Sequence, residues 1–580
     1  MLAPLATAAN SFPFPVAAAP LSPQARDALL PSRPGPPWLT AQMLDRVVDV
    51  LELSCLHRLY RRRGSLPFSP LLMLKLALFC IADGLPSPSD WAEMANRDGP
   101  CRWLVWGIEP SASACYAFRD RLGVACLFEF NRQVLALAQQ HGLTSATRGA
   151  LDGTLSQANA SRHRLVNQQR LEMGLQILQQ PLGPPPVPGV AQAGAAGPGG
   201  TPGPQTCSAA LSHVEPTATQ PAPQQLSAAE LSAQPATATP SGEGAVEVAE
   251  SATAAKAKPR RPVRPARTAR GRQCQLKRWK RAQQQLHKRV QRNQNKRASK
   301  RTDSKKMVIC PSDPEAAVSR DKRGVFRPLY NHQLLADLDS DLILGYETFA
   351  QPNDSGLGKI VLRRTEQLLG HKLAVVLEDA GYTGGQDLAD AEKAGVTVLG
   401  PCAGQSSEET DRNKAKQIPK SEFIYDAKRG VYVCPEGKSL ECVGQSKQKR
   451  SSVELVVLEQ YRAAAFECNT CPRKQQCCPK SVQGRSISRS EHEGAIERLR
   501  ERMNQPHNKE LYKRRAATVE RLFGDGKGYR GLERMSGRGL QQARIQLAFM
   551  VLQHNLRVLG KALATRHQEA GDPQAEPQFA

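Results

Sequence analysis

Two stretches of this sequence hold residues whose types and spacing suit chemistry. In the first, Cys434-Pro-Glu-Gly and Cys442 precede Cys468-x2-Cys471-x5-Cys477-Cys478 in a short, turn-rich stretch. The Cys-x2-Cys spacing lets two thiolates share one tetrahedral ion, with further cysteines completing the shell. Cys434, Cys468, Cys471 and Cys477 are the natural set, and Cys442 or Cys478 could substitute. Structural zinc is the expectation, with an iron–sulfur cluster or reduced, metal-free thiols as the alternatives. The second stretch runs from Glu510 to Asn555. It opens as a basic amphipathic helix, with Val519, Leu522 and Phe523 on the apolar face and Tyr512, Arg515, Glu520 and Lys527 on the polar one. Periodicity alone makes that helix structural.

The detailed pattern says more. Tyr512-x2-Arg515-x4-Glu520-x6-Lys527 is followed by Gly-Leu-x-Arg, by Arg538-Gly539 and by a late His-Asn-Leu. This resembles the C-terminal signature of DDE transposases from bacterial insertion sequences, in the subgroup with an N-terminal helical domain and a Cys-rich insertion before the glutamate. The resemblance implies that Glu520 is the third of three metal-binding carboxylates. It also implies that Arg515, Lys527 and Arg538 contact DNA, with Tyr512 packed beside them. Two upstream aspartates sit in matching contexts. Asp152 lies in Asp-Gly-Thr followed by Ala-Asn-Ala-Ser, and Asp379 ends the run LAVVLEDAGYTG from Leu373 to Gly384.

Three carboxylates fit that chemistry on physical grounds. A phosphodiester repels anionic nucleophiles, and its leaving oxygen needs charge stabilisation. Two divalent ions about 3.5–4 Å apart activate the attacking oxygen and stabilise the departing one. Hard oxygen ligands suit Mg²⁺ or Mn²⁺, and magnesium keeps several waters, so few carboxylates suffice. Asp152, Asp379 and Glu520 are therefore read as metal ligands. Asp354 reads as the N-cap of the following helix, and Asp525 as solvent-facing. His163, His332 and His554 lack metal-ligand spacing. Gly524-Asp-Gly-Lys-Gly lacks the strand and the Lys-Ser/Thr ending of a phosphate loop.

The elements that must position these groups follow from pattern. Residues 39–145 read as helical, with starts at Ser69-Pro70 and Ser87-Pro88. Asp152 falls on a strand, and two strands flank the turn from Asp337 to Asp341. A helix is expected over 355–369, then the buried strand ending at Asp379, a helix over 385–394 and the short strand VTVLG. The resemblance makes this an α/β ribonuclease-H-like catalytic core behind an all-α N-terminal domain. A disordered basic insertion and a Cys-rich insertion interrupt it. The expected order is a disordered leader 1–38, helical domain 39–145, core 146–175, Pro/Ala/Gly-rich linker 176–255, basic DNA-binding segment 256–306, core 307–425, Cys-rich insertion 426–485, C-terminal core helices 486–565 and tail 566–580. The resemblance itself spans 39–175 and 305–560.

Composition narrows the partners. The chain has 580 residues, 79 Lys and Arg against 54 Asp and Glu, and a net charge of +25, which favours a polyanion and nucleic acid first. Residues 256–306 hold 21 Lys and Arg against Asp303 alone, a net of +20. Such density resists independent folding, so residues 273–296 are expected to become helical on binding DNA, with Trp279 and Leu286 as apolar contacts. The apolar run from Leu71 to Ile81 is too short to span a membrane and contains Lys75. The Pro-broken opening lacks a basic n-region, so it is read as a leader rather than a signal peptide, and the location as cytoplasmic at the nucleoid. Fifteen cysteines in such a chain argue against disulfides; Cys55, Cys80, Cys101, Cys115 and Cys126 read as small buried hydrophobes. The resemblance implies cleavage of transposon ends and joining of the 3′-OH to double-stranded target DNA, by a homodimer or larger synaptic assembly. A catalytically inactive, transposase-derived DNA-binding protein is the alternative.

Overall fold

The computed structural model describes residues 15–60, 66–180, 263–296, 298, 301–402, 418–449 and 455–569. The chain divides into two units, Met1–Gln179 with Pro265–Ala580, and Gln180–Arg264. The second, with the expected linker, lies almost wholly outside the described residues.

Before the first strand come α1 (Pro23–Asp27), α2 (Pro36–Val48), α3 (Ser54–His57), α4 (Pro70–Ala82), α5 (Pro88–Arg97), α6 (Gly99–Leu104) and α7 (Ala112–Gln140). Proline opens α2, α4 and α5, where its missing N–H has no helical partner to lose and its φ is preset. Helix α4 is buried almost all round, and its Lys75 pairs there with Asp45 and Asp49, at 2.6 and 2.8 Å. The expected leader is ordered from residue 15. Arg26 of α1 stacks over Trp103 and Trp106 and pairs with Asp45 at 2.5 Å, contacts that tie this segment to α2 and to the end of α6.

The central sheet has the order β4-β5-β1-β7-β8, with β6 also on β5. Its strands are β1 (Arg148–Gln157), β4 (Ala317–Arg320), β5 (Phe326–Asp337), β6 (Ile343–Phe349), β7 (Val375–Leu377) and β8 (Thr397–Leu399); β2 (Val166–Asn167) and β3 (Val308–Ile309) form a separate ladder. Strands β1, β7 and β8 are parallel, and β5 runs antiparallel to both β1 and β6. This mixed α/β arrangement is compatible with the expected ribonuclease-H-like core. Helices α10 (Gly358–Leu369) and α11 (Gly385–Lys393) follow β6 and β7.

The all-α segment is present, but it shares its core with the sheet. One buried cluster runs from Leu44 through Val376 to Phe549 and Leu552. Trp91 meets Phe549 edge-on at 5.6 Å. The fully buried Asn131 donates to Tyr346 Oη and to the Ala548 carbonyl. The C-terminal helix Leu540–Glu569 is the shared wall between the N-terminal helices and the sheet.

The basic insertion also departs from expectation. Ala269–Gln294 forms helix α9 with Trp279, Ala282 and Leu286 buried. It packs on α8 (Gln168–Gln179), so closely that a Cβ at Gly174 would come within 2.1 Å of the Trp279 ring. Arg272 caps α8 by donating to the Ile177 and Leu178 carbonyls. The apolar stripe seats the helix on α8 through Trp279, Ala282 and Leu286. The Cys-rich stretch likewise holds more regular structure than its turns suggest: β9 (Ile424–Asp426), β10 (Val431–Val433), β11 (Ser439–Lys449), β12 (Leu455–Ala463) and β13 (Ser486–Ser490) form an antiparallel sheet.

Candidate active site

Strand β7 ends at Leu377, whereas β1 runs on past it to Gln157. The open edge of β1 beyond β7 is filled by the turn Glu378–Tyr382, and there Asp152 and Asp379 come together. The helix Pro506–Tyr529 lies across the same place and lowers Arg515 between them. Arg515 Nη2 is 3.1 Å from Asp152 Oδ1 and 4.0 Å from Asp379 Oδ2. Each aspartate is also held by a backbone N–H just ahead of it, Gly153 onto Asp152 at 2.7 Å and Gly381 onto Asp379 at 2.5 Å. Burial pushes the Asp152 carboxyl up, with Arg515 and the Gly153 N–H working against it and Asp379 and Asp354 adding to it. Two carboxylates thus converge on a single cationic group, a donor set suited to a hard cation.

Glu520 is exposed on that helix, five residues after Arg515. Seven residues, about two turns, separate it from Lys527, so both leave the helix from one edge. Lys527 Nζ donates to the Leu155 carbonyl of β1 at 2.8 Å, which places that edge over β1. Among the described residues no group of three or more His, Cys, Asp or Glu is arranged to hold a metal ion. Asp152 and Asp379 are therefore brought together, and Glu520 stands on the adjoining helix edge outside their contact.

The remaining expected DNA contacts divide. Tyr512 is half-buried beside the pair; burial raises its phenol, and Arg515, Asp379 and Asp152 all act on it. Arg538 is exposed, and its Nε donates to the Asn159 carbonyl at 3.2 Å, while Asn159 Nδ2 returns a bond to the Ser536 carbonyl at 2.6 Å. The Ala-Asn-Ala-Ser and Arg-Gly motifs thus meet each other. In the late His-Asn-Leu, Asn555 bonds both ways with the Ile343 backbone and His554 meets the Asp341 carbonyl at 2.7 Å. That motif fastens the C-terminal helix to the start of β6. His163 is exposed and His332 is fully buried. Asp525 is partly buried and paired with Arg530 at 3.2 Å, not simply solvent-facing.

Asp354 does not cap a helix: α10 is capped at Leu357 without a side-chain bond. Its Oδ1 instead accepts from Asn331 Nδ2 at 2.8 Å and Gln333 Nε2 at 2.7 Å, both on β5. The loop before α10 folds back onto the interior strand β5, where two amides out-compete a helix N-terminus. Sequence reasoning also passed over Glu378, which is buried with its carboxyl pushed up to about 8, by burial first and then by Asp387.

Residues 433–560 match the family model described as transposase DDE domain. Over that stretch the chain is similar to a transposase DDE domain. No curated protein and no solved structure matches the chain. The matched stretch takes in most of the small sheet, the helix with Arg515 and Glu520, and most of the C-terminal helix; Asp152 and Asp379 precede it and meet Arg515 through the fold.

Within the matched stretch, Cys434, Cys468, Cys471, Cys477 and Cys478 line one cavity of the small sheet. Backbone N–H groups of Lys438 and Arg485 donate to Cys434 Sγ and Cys468 Sγ at 3.3 and 3.4 Å. Burial raises the Cys468 thiol and pushes that of Cys477 up to about 11. Cys442 is exposed and turned to the Gly444 carbonyl, so of the two substitutes only Cys478 joins the group. The expected zinc centre is not formed as a closed set among the described residues. All the described cysteines are free; Cys80, Cys101, Cys115 and Cys126 are buried, as expected, and Cys55 is partly so. No helix among the described residues is long and apolar enough to cross a membrane.

Proposed function

We propose that this chain is an insertion-sequence transposase that hydrolyses DNA at transposon ends and joins the freed 3′-OH to target DNA with Mg²⁺ or Mn²⁺. The observation that carries this reading is the convergence of Asp152 and Asp379 on Arg515 at the open edge of β1. The guanidinium stands where a cation suits both carboxylates. Asp152, Asp379 and Glu520 would hold the metal, which supplies activation of the attacking oxygen and stabilisation of the leaving one. The Gly153 and Gly381 N–H groups keep the two aspartates oriented as charge arrives. Arg515, displaced from the carboxylates, becomes free to meet a phosphate, for which its planar fork is suited.

Helix α9 supports the DNA side of the proposal. At about 100° per residue, Lys277, Lys280, Lys288 and Arg292 lie on one face and Trp279, Ala282 and Leu286 on the opposite one. All four cations are exposed and make no ion pair among the described residues. This is a track for phosphates, contacts that position a duplex without reading its bases. We extend the proposal to the cysteine cavity, where a structural zinc would draw four thiolates together; metal analysis should find about one zinc per chain, and none would leave reduced thiols. The deciding experiment is nicking of duplexes that carry the DNA flanking the coding region. Metal-dependent nicking lost in Asp152→Asn is expected; nicking that survives the substitution would end this reading.

A further inference from the structure

Asp354 belongs to a hydrogen-bonded chain that ties the two aspartate-bearing segments together. Tyr382 lies three residues after Asp379, and its hydroxyl donates to Gln333 Oε1. Gln333 Nε2 donates in turn to Asp354 Oδ1 at 2.7 Å and to Asn331 Oδ1 at 2.9 Å, and Asn331 Nδ2 returns to Asp354 Oδ1 at 2.8 Å. Gln333 pairs across the ladder with Gly153, the neighbour of Asp152. Tyr382 and Gln333 are buried, so these bonds are made away from competing water and resist exchange.

Two glycines show how tightly this chain is fitted. A Cβ at Gly153 would stand 2.1 Å from Gln333 Nε2, 2.7 Å from Asp354 Oδ1 and 2.9 Å from the Tyr382 hydroxyl. A Cβ at Gly381 would stand 3.3 Å from Asp379 Oδ1 and 4.0 Å from Asp354 Oδ2. The glycine of Asp-Gly-Thr leaves room for the network, and the tyrosine of Gly-Tyr is its anchor. Asp354 Oδ1 takes both amide bonds, and Oδ2 takes none among the described residues, so the carboxyl serves here as an acceptor hub.

We propose that Asp354, Gln333 and Tyr382 are positioning residues that fix the separation of Asp152 and Asp379 by joining the Asp379 turn to the strand beside Asp152. This rests on the reading of that pair as metal ligands. Partners behind a metal ligand typically change metal affinity by about 10-fold to 100-fold when removed.

The test is Mn²⁺ binding to the full chain without DNA, read by electron paramagnetic resonance, beside the Mn²⁺ dependence of nicking. Tyr382→Phe, which removes one hydroxyl, and Asp354→Ala should each weaken Mn²⁺ binding by about 10-fold or more. They should raise the metal concentration needed for nicking while the rate at saturating metal stays close to wild type. Asp354→Asn keeps an oxygen that accepts from Asn331 and Gln333, so it should bind Mn²⁺ nearly as wild type does. Thermal unfolding of Tyr382→Phe controls for the fold. Unchanged Mn²⁺ binding in a folded Tyr382→Phe would overturn the proposal. Loss of binding in Asp354→Asn equal to that in Asp354→Ala would overturn it too, by making Asp354 a direct ligand. A wild-type chain that binds no Mn²⁺ would instead bring down the metal-ligand reading, and Asp152→Asn, expected to lose binding outright, separates the two failures.

Discussion

Arg515 with Lys527, and the exposed cations of α9, are equally basic in sequence, yet the fold treats them oppositely. Arg515 has 12% of its side chain exposed and faces two aspartates. Lys527 is half-buried on the Leu155 carbonyl, and burial lowers its ammonium, with Lys322 adding to the effect. Lys277, Lys280, Lys288 and Arg292 stand in solvent with no ion pair among the described residues. A phosphate can approach the second group at once, but reaches the first only by displacing a partner that already satisfies it. On the proposed function, charge density would locate DNA affinity and charge pairing the reaction.

The sharpest way to break that division is to neutralise the carboxylates. Asp152→Asn, Asp379→Asn and Glu520→Gln should each abolish nicking with duplex affinity retained, because metal-binding charge is lost and shape is kept. Full activity in one of them would remove that residue from the site; for Glu520, which stands outside the contact of the aspartates, this is the most direct check. Next in size is α9. Replacing Lys277, Lys280, Lys288 and Arg292 together by Gln should lower the slope of log affinity against log salt by roughly 3.6, at about 0.9 per phosphate contact. Binding to all sequences should fall alike while nicking at saturating protein persists. An unchanged slope would mean that α9 is merely a solvated face.

The division itself was not legible in the sequence, where Arg515 and Lys527 shared the DNA-contacting role of the basic segment, but several of the elements that carry it were. Asp152 and Asp379 could be placed because each lies where an apolar run meets small residues, and such runs become strands that the core must bury. The helix Pro506–Tyr529 was visible through Val519, Leu522 and Phe523, which are buried. What could not be read was pairing across the chain. Nothing near Asp354 announces Asn331 and Gln333, which it meets only because β5 pairs with β6 and the loop after β6 folds back over β5. The helix of α9 and its Trp279 and Leu286 contacts were expected on DNA, but its seat was not legible: the charge is visible in sequence, whereas the groove at Gly174 that receives Trp279 is not. The ordered residues 15–38 depend likewise on Trp103 and Trp106, more than seventy positions away from Arg26.

The buried side of the comparison should show itself in acid. His332 is fully buried with Nδ1 on Thr348 Oγ1 at 2.9 Å; burial, with Lys527 nearby, depresses its imidazole from 6.5 to about 3. In the unfolded chain the ring takes a proton below pH 6.5, whereas the folded chain keeps it neutral to about 3. Stability from this group is full above pH 6.5 and declines as pH falls toward 3, by about 5 kcal/mol at most for a shift of that size. Urea unfolding between pH 7 and 4 measures it, and His332→Gln should flatten the decline. An equally steep decline in that variant would assign the acid sensitivity to other groups.

The smallest effect, and the finest test of the division, is expected at Lys527. Its resemblance-based role is a phosphate contact, whereas its position makes it a strut between the Pro506–Tyr529 helix and β1. Lys527→Met keeps the length and the apolar stem and removes the ammonium that meets the Leu155 carbonyl. A hydrogen bond from a charged donor contributes about 1.5–3 kcal/mol, and the desolvation that lowers this ammonium is relieved at the same time, so a loss toward the lower end is expected in urea unfolding. The salt dependence of DNA affinity should not move, because a strut neutralises no phosphate. A slope reduced by about 0.9 with unchanged stability would reverse the assignment, returning Lys527 to the DNA-facing group and leaving Arg515 as the buried cation of the pair.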